Sequence, residues 1–480
     1  MNLREQAING ILWSFCQQFG AKIVGLVISI ILARILNPAE FGLLAMINVL
    51  IAMGSSLMDS GLTSSLIRTN DATQRDYSTI FYFNMVGGIL AYGIVFIVAP
   101  WLAAFYDEVI LIKIIRVMGI TFIINSFFAV QNARFIKKMN FKIQTMIQIP
   151  SVIGGGIVGI LMANSGFGVW SLVWMSLCNS FLLALMHWMF SDWRPHLIFD
   201  FKCFKRHFDF GYKMTLSGLM ETLFQNIYVI IIGKYHVASQ LGFYSRAESM
   251  SQFPVSNISA AMNKATYPMF ASISDDNVKL KLVYKRLLKQ VIFWNAPVLV
   301  FLVVIAEPLF RILLTEKWLP AVPYFQLLCI SGIMYPLQSY NLNILKVKGR
   351  SDLLLKLELI KKVTCIIGIV CVIPFGIYGL LYFRVGYSFV GYYINSFYSG
   401  RFIDYSIIEQ IQDLWPSIFL SCTIGVVMYS LDHLLAAANY LPDIESVILN
   451  ALLYSIIYLI SSSMLKLTAI ADFKQLIFKR

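Results

Sequence analysis

Charge is what this sequence has least of. Lysine, arginine, aspartate and glutamate make up 13% of its 480 residues, about half their share in an ordinary soluble domain. A soluble chain of this length would form several domains, and the charge present could not cover them in water. Long polar connections are missing too. None much exceeds about twenty residues, far short of a soluble catalytic domain. There is no P-loop, which argues against ATP hydrolysis within the chain. The seven cysteines contain no CxxC pair and fall mainly in apolar runs, so buried thiols are expected rather than a disulfide frame or zinc site. The five histidines show no metal-ligand spacing. The first apolar run is too long for a cleavable signal and lacks a small-residue cleavage site.

What is present is apolar side chain, 58% of the residues, with a mean hydropathy of +0.72. About twenty apolar residues cross a bilayer once, so a polytopic all-α membrane protein is the fold class these numbers allow. Apolar runs lie at approximately 10–35, 41–66, 78–103, 110–134, 143–164, 167–190, 211–234, 241–270, 288–314, 322–346, 353–374, 377–399, 412–433 and 444–465, about fourteen candidate spans with ends uncertain by a few residues.

The formal charge of +13 does not point to nucleic acid, because the basic residues sit in short clusters between apolar runs. Arg134, Lys137, Lys138 and Lys142 form one; Lys202, Lys205 and Arg206 another; Lys279, Lys281, Lys285, Arg286 and Lys289 a third; Lys346, Lys348 and Arg350 a fourth. If the N-terminus is cytoplasmic, these fall on the inner side, and little beyond Arg34, Lys113, Lys234 and Lys317 is left outside. The positive-inside rule then places both termini in the cytoplasm.

A shift of 200 positions lays Leu36-Asn37-Pro38-Ala39-Glu40-Phe41-Gly42-Leu43 on His236-Val237-Ala238-Ser239-Gln240-Leu241-Gly242-Phe243. Each passage lies in the short outer turn that opens a six-span set. Residues 1–200 and 201–400 are therefore expected to form two parallel six-helix lobes related by a pseudo-twofold along the membrane normal. The substrate path is expected between them, and residues 401–480 add two helices and a short cytoplasmic tail.

Polar residues recur at helical spacing on four spans: Ser14, Gln18, Lys22, Gly25 and Ser29; Asn48, Ser55, Asp59 and Thr63; Ser217, Glu221 and Gln225; Glu248, Gln252, Ser256, Ser259 and Asn263, beside Lys264. Such faces cannot point at lipid, where each unsatisfied polar group costs several kcal/mol, so a shared aqueous cavity is expected. Ionisable residues at membrane depth are functional candidates. Lys22, Lys264, Asp59, Glu221, Gln18, Gln225, Gln252 and Arg116 are the candidate cavity residues, with Glu221 at nearly the depth of Lys22 and able to face it. Arg246 and Glu248 lie near the outer boundary as a candidate rim ion pair. Arg116 has the alternatives of snorkelling or pairing with Asp107 or Glu108, and Arg384 reads as structural. Asn257-Ile258-Ser259 matches a glycosylation sequon but falls within a helix, and the Gly154-Gly155-Gly156 run reads as helix packing rather than a phosphate loop.

The passage from Ala33 to Leu43 resembles the outer turn of bacterial polysaccharide flippases of the Wzx type, within the multidrug/oligosaccharidyl-lipid/polysaccharide superfamily. Asp59-Ser60-Gly61-Leu62, Tyr267-Pro268-Met269-Phe270-Ala271, Asp275-Asp276 with Lys279-Leu280, and Glu316-Lys317-Trp318 extend the likeness over roughly residues 5–400. The resemblance implies twelve to fourteen helices in two lobes and a polyprenyl-diphosphate-linked oligosaccharide moved outward across the bacterial inner membrane by a monomer, alongside a polymerase machinery. Lys22 and Lys264 would meet the diphosphate, and the Ser, Asn and Gln stripes the sugars. Relatives carry mostly arginine where lysine predominates here. No catalytic residue, metal or cofactor is expected, and Asp59, Glu221 and Glu248 are candidates to bind a coupling Na+ or H+. A drug or cation extruder of the same superfamily is the first alternative, although a lysine-bearing cavity suits cations poorly. A membrane glycan polymerase or ligase is the second, and a structural scaffold the third.

Overall fold

The computed structural model describes residues 3–59, 61–437 and 443–470, and the side chains of 3–12, 14–18, 58–59, 258, 260–265 and 432–437 lie outside the description. The calls on Gln18, Asp59, Asn263 and Lys264 fall on those side chains. The described chain is helical, and its contacts divide it into two compact units, Met1–Gly242 and Phe243–Arg480. Among the described residues, nine helical segments are long and apolar enough to cross a membrane, or up to eleven if each of two bent pairs is one span.

The first unit begins with α1 (Leu3–Ile35) and α2 (Pro38–Asp59). They are joined by a turn in which the Asn37 amide donates to Glu40 Oε2 at 2.7 Å. The sequence reading runs a single span over 41–66. The chain instead leaves α2 after Asp59, and α3 (Leu62–Arg68) starts afresh behind Gly61. Gly61 has φ +62°, and a Cβ there would stand 2.6 Å from the Gly211 carbonyl, so only glycine suits both the left-handed backbone and the close approach. Thr63 thus belongs to a different helix from Asn48 and Ser55.

Next come α4 (Gln74–Tyr106), then α5 (Ile110–Met118), α6 (Ile120–Ser126) and α7 (Ala129–Lys137), which break the expected span at 110–134 into three pieces. A bend of 47° separates the last of these from the other two. The unit continues through α8 (Phe141–Asn164), α9 (Val169–Phe190), α10 (Phe201–Gln225) and α11 (Ile227–Tyr235), the last two bent by 49°. Asp200 caps α10 by accepting from the Lys202 and Cys203 amides. Those bonds hold its carboxyl below the usual carboxylate range. Within the unit α8 packs on α1 and α9, α4 on α5 and α6, and α10 on α2 and α3. Ile94, Ile97 and Trp101 point outward from α4, a pattern that only a hydrocarbon solvent makes favourable.

One buried polar node ties α3, α4 and α10 together. Asp76 and His207 are 1% and 0% exposed. Asp76 closes a capping box with Thr73, accepting from its amide at 2.8 Å and its hydroxyl at 2.7 Å. The same carboxylate takes Arg206 and, at 3.2 Å, His207 Nε2, while His207 Nδ1 meets Ser65 Oγ at 2.8 Å. The Ser–His–Asp order invites a hydrolytic reading, but all three side chains are sealed from any substrate, and the node is structural. Asp76→Asn leaves two donors without their anion, and we expect about 3 kcal/mol of lost stability, read as a lower thermal midpoint in detergent.

A long helix, α12 (Ala238–Ser272), leads into the second unit, which holds α13 (Asn277–Val304), α14 (Ala306–Leu314), α15 (Val322–Gly332), α16 (Tyr335–Val347), α17 (Ser351–Val372), α18 (Gly376–Phe402), α19 (Ile407–Ala437) and α20 (Asp443–Met464). Its centre is α18 packed against α15, α16 and α17, and α13 packed against α19. At one end of that second pair a ladder of charges closes the seam. Lys281 and Lys285 meet Glu409 at 2.9 and 3.1 Å, and Lys285 and Lys289 meet Asp413 at 2.9 and 2.8 Å. The i, i+4 spacing of the lysines puts them on one face. The described cysteines are free, and Cys371 and Cys422 are exposed rather than buried.

Candidate functional site

The polar stripes lie on α1, α2 and α10 of the first unit and on α12. Lys22 is exposed on α1, about 20 Å from the Ile35 end at 1.5 Å per residue. Glu221 is exposed on α10, at a similar distance of about 21 Å from the end of α11, and accepts from Gln225 Nε2 at 3.0 Å. Asn48 and Ser217 are exposed as well. An exposed ammonium and an exposed carboxylate deep in a membrane helix need polar surroundings, and together these side chains offer both charge signs and neutral hydrogen-bonding groups.

Arg116 takes neither partner that its sequence neighbourhood offers among the acids. Its guanidinium lies 4.1 Å from the centroid of the Phe96 ring on α4, a cation–π contact. Asp107 instead pairs with Lys234 at 3.1 Å.

In the second unit the expected rim pair resolves differently. Glu248 Oε1 meets Arg384 Nη1 from α18 at 2.7 Å, and the Tyr244 hydroxyl joins both. Arg246 is buried, with its guanidinium 5.6 Å from the Trp318 ring centroid. Gln252 and Ser256 are half-buried along the same helix. Arg384, read from sequence as structural, is thus the ion-pair partner of a candidate site residue.

The sequence reading also passed over α17, where Lys361 Nζ meets Glu358 Oε1 at 2.5 Å. The signal was there: an acid and a base three residues apart inside an apolar run. Among the described residues no group of three His, Cys, Asp or Glu side chains is placed to hold a metal.

A family model described as "Polysaccharide biosynthesis protein" matches residues 31–323, from the end of α1 to the start of α15. The chain belongs to that family. It is 26% identical over 438 residues to the lipopolysaccharide biosynthesis protein WzxC of Escherichia coli (strain K12), covering 90% of this chain and 88% of that one. It is also 26% identical over 355 residues to the teichuronic acid biosynthesis protein TuaB of Bacillus subtilis (strain 168), covering 73% of each. The fold is similar to that of the lipid II flippase MurJ in an inward closed conformation, with a TM-score of 0.73 at 12% identity over 95% of this chain and 98% of that one. In this member of the polysaccharide biosynthesis family, the passages that carried the resemblance lie at structural junctions. Asp59 to Leu62 spans the α2–α3 break, Tyr267 to Ala271 closes α12, and Glu316 to Trp318 forms the 3-10 turn before α15.

Proposed function

We propose that this membrane protein moves a polyprenyl-diphosphate-linked oligosaccharide from the cytoplasmic to the periplasmic leaflet of the inner membrane by alternating access, supplying surface polysaccharide synthesis. The observation that supports this most is the exposed ammonium of Lys22 at membrane depth in a chain of the polysaccharide biosynthesis family. A diphosphate crossing hydrocarbon needs such a cation, and the sugars need the hydroxyl and amide groups of α1, α2, α10 and α12. Lys22, Lys264, Asp59, Glu221, Gln18, Gln225, Gln252 and Arg116 are the side chains assigned to this task, with both termini in the cytoplasm. The protein performs no chemistry on the substrate in this reading, and a polysaccharide polymerase consumes what it delivers.

The direct test reconstitutes the protein in liposomes with a lipid-linked oligosaccharide and follows its exposure to an impermeant sugar-oxidising reagent. Oligosaccharide that stays protected at the protein-free rate refutes the proposal. The energetics need no bound ion. Two phosphate charges moving outward from a negative interior gain about 4.6 kcal/mol per 100 mV. We therefore expect flux under an imposed potential with no Na+ or H+ gradient. Flux only when one of those gradients is added would assign the coupling to Asp59, Glu221 or Glu248 instead.

A further inference from the structure

An arginine inside an apolar helix needs a reason. Arg384 follows Leu380, Leu381, Tyr382 and Phe383 in α18, about 12 Å from the start of the helix at Gly376. Glu248 lies about 15 Å along α12 from Ala238. A charge at such depth costs about 2.5–3.5 kcal/mol even on insertion scales, and an apolar pair of similar volume commonly stabilises a fold at least as well as a buried ion pair. Structural filling is therefore a weak account of Arg384.

Exposure separates this pair from the other polar nodes. The Asp76–His207 contact is sealed, whereas the Arg384 and Glu248 side chains remain 19% and 23% exposed. Tyr244, which holds the same pair, is fully buried. Small groups can thus reach the ions from one side, while the tyrosine fixes them from behind. Both bonds that Arg384 makes to these partners use Nη1. A guanidinium is a planar fork suited to two parallel bonds to phosphate oxygens, so a single carboxylate oxygen uses little of what it offers.

We propose that Arg384 is a diphosphate-binding residue of the transport path and that Glu248 is its resting counterion. An arriving diphosphate displaces the carboxylate from the guanidinium. The Tyr244 hydroxyl, which donates to Glu248 Oε1 at 3.3 Å, keeps hold of the released carboxylate. Glu248 thereby keeps the arginine charge satisfied in the empty carrier and competes with weaker anions, which makes it a specificity element. The assignment rests on the transport reading above and adds residues to it.

The test measures farnesyl diphosphate binding to the full-length protein in phosphatidylcholine nanodiscs by calorimetry. Arg384→Gln is expected to weaken binding about 30-fold, the loss of a bidentate charged contact. Glu248→Gln, which removes the competitor, is expected to tighten it several-fold, and inorganic pyrophosphate should follow the same order. Wild-type affinity retained by R384Q overturns this assignment and leaves the transport reading standing; no binding by the wild type overturns both. Equal weakening by E248Q and R384Q marks the pair as mere support and also overturns it. If R384Q fails to fold, the double variant E248Q/R384M, which leaves no unpaired charge, must still show the loss. A nanodisc series with phosphatidylglycerol separates the sources of phosphate. If R384Q alters only phosphatidylglycerol enrichment and not farnesyl diphosphate affinity, the guanidinium serves lipid head groups and the proposal fails.

Discussion

Lys22→Ala abolishes transport while the folded protein still reaches the membrane. Lys22 sits about 20 Å inside the outer end of α1 with its side chain exposed. Facing hydrocarbon there would cost about 2.5–3.5 kcal/mol, so its ammonium belongs to a polar space. Loss of a charge-assisted bond to a diphosphate removes about 3 kcal/mol, and we expect flux below about one hundredth of wild type. Because alanine propagates helix better than lysine and no core contact is emptied, yield and thermal midpoint should hold. Lys22→Arg keeps the charge and should keep most of the flux. Normal surface glycan in a strain carrying only K22A would remove Lys22 from the site.

The second large effect falls on the fold. A Cβ on Gly42 would stand 1.7 Å from the Ala238 carbonyl oxygen, and one on Gly242 1.9 Å from that of Pro38. The first turns of α2 and α12 meet here backbone to backbone, in a reciprocal contact. The two glycines lie 200 positions apart, the offset that aligns the two passages in sequence. No rotamer can relieve a clash with backbone, so the helices must part. Gly42→Ala and Gly242→Ala should each cost about 3 kcal/mol, the upper range of overpacking, out of a total stability of roughly 5–15 kcal/mol. We expect little folded protein after detergent extraction. Gly87, with nothing within 4 Å of its Cβ position, is the control, and G87A should be neutral. A G42A protein as stable as G87A would mean that this contact is not part of the folded state in solution.

How much was legible depends on the range over which each feature is decided. Apolar runs reported the membrane class because every residue of a span answers to the same solvent. The stripe through Lys22, and that through Glu221 and Gln225, followed from helical spacing alone. Breaks were harder. Gly61 ends α2, yet nothing adjacent marks it, since its glycine is required by the carbonyl of Gly211, 150 positions away. The partners of charges were harder still. Sequence proximity offered Asp107 and Glu108 to Arg116 and paired Glu248 with Arg246, whereas the folded chain sets Arg116 on Phe96 and Glu248 on Arg384.

By itself the sequence determined that this chain is an all-helical membrane protein with charge at membrane depth on particular helix faces, because solvent and helical period act residue by residue. Tertiary structure alone decided where the helices break, which glycines carry helix crossings and which cation answers which anion. Those depend on groups far apart in the chain arriving within a few ångströms of each other, and low-dielectric surroundings make each such meeting too costly to leave unmatched.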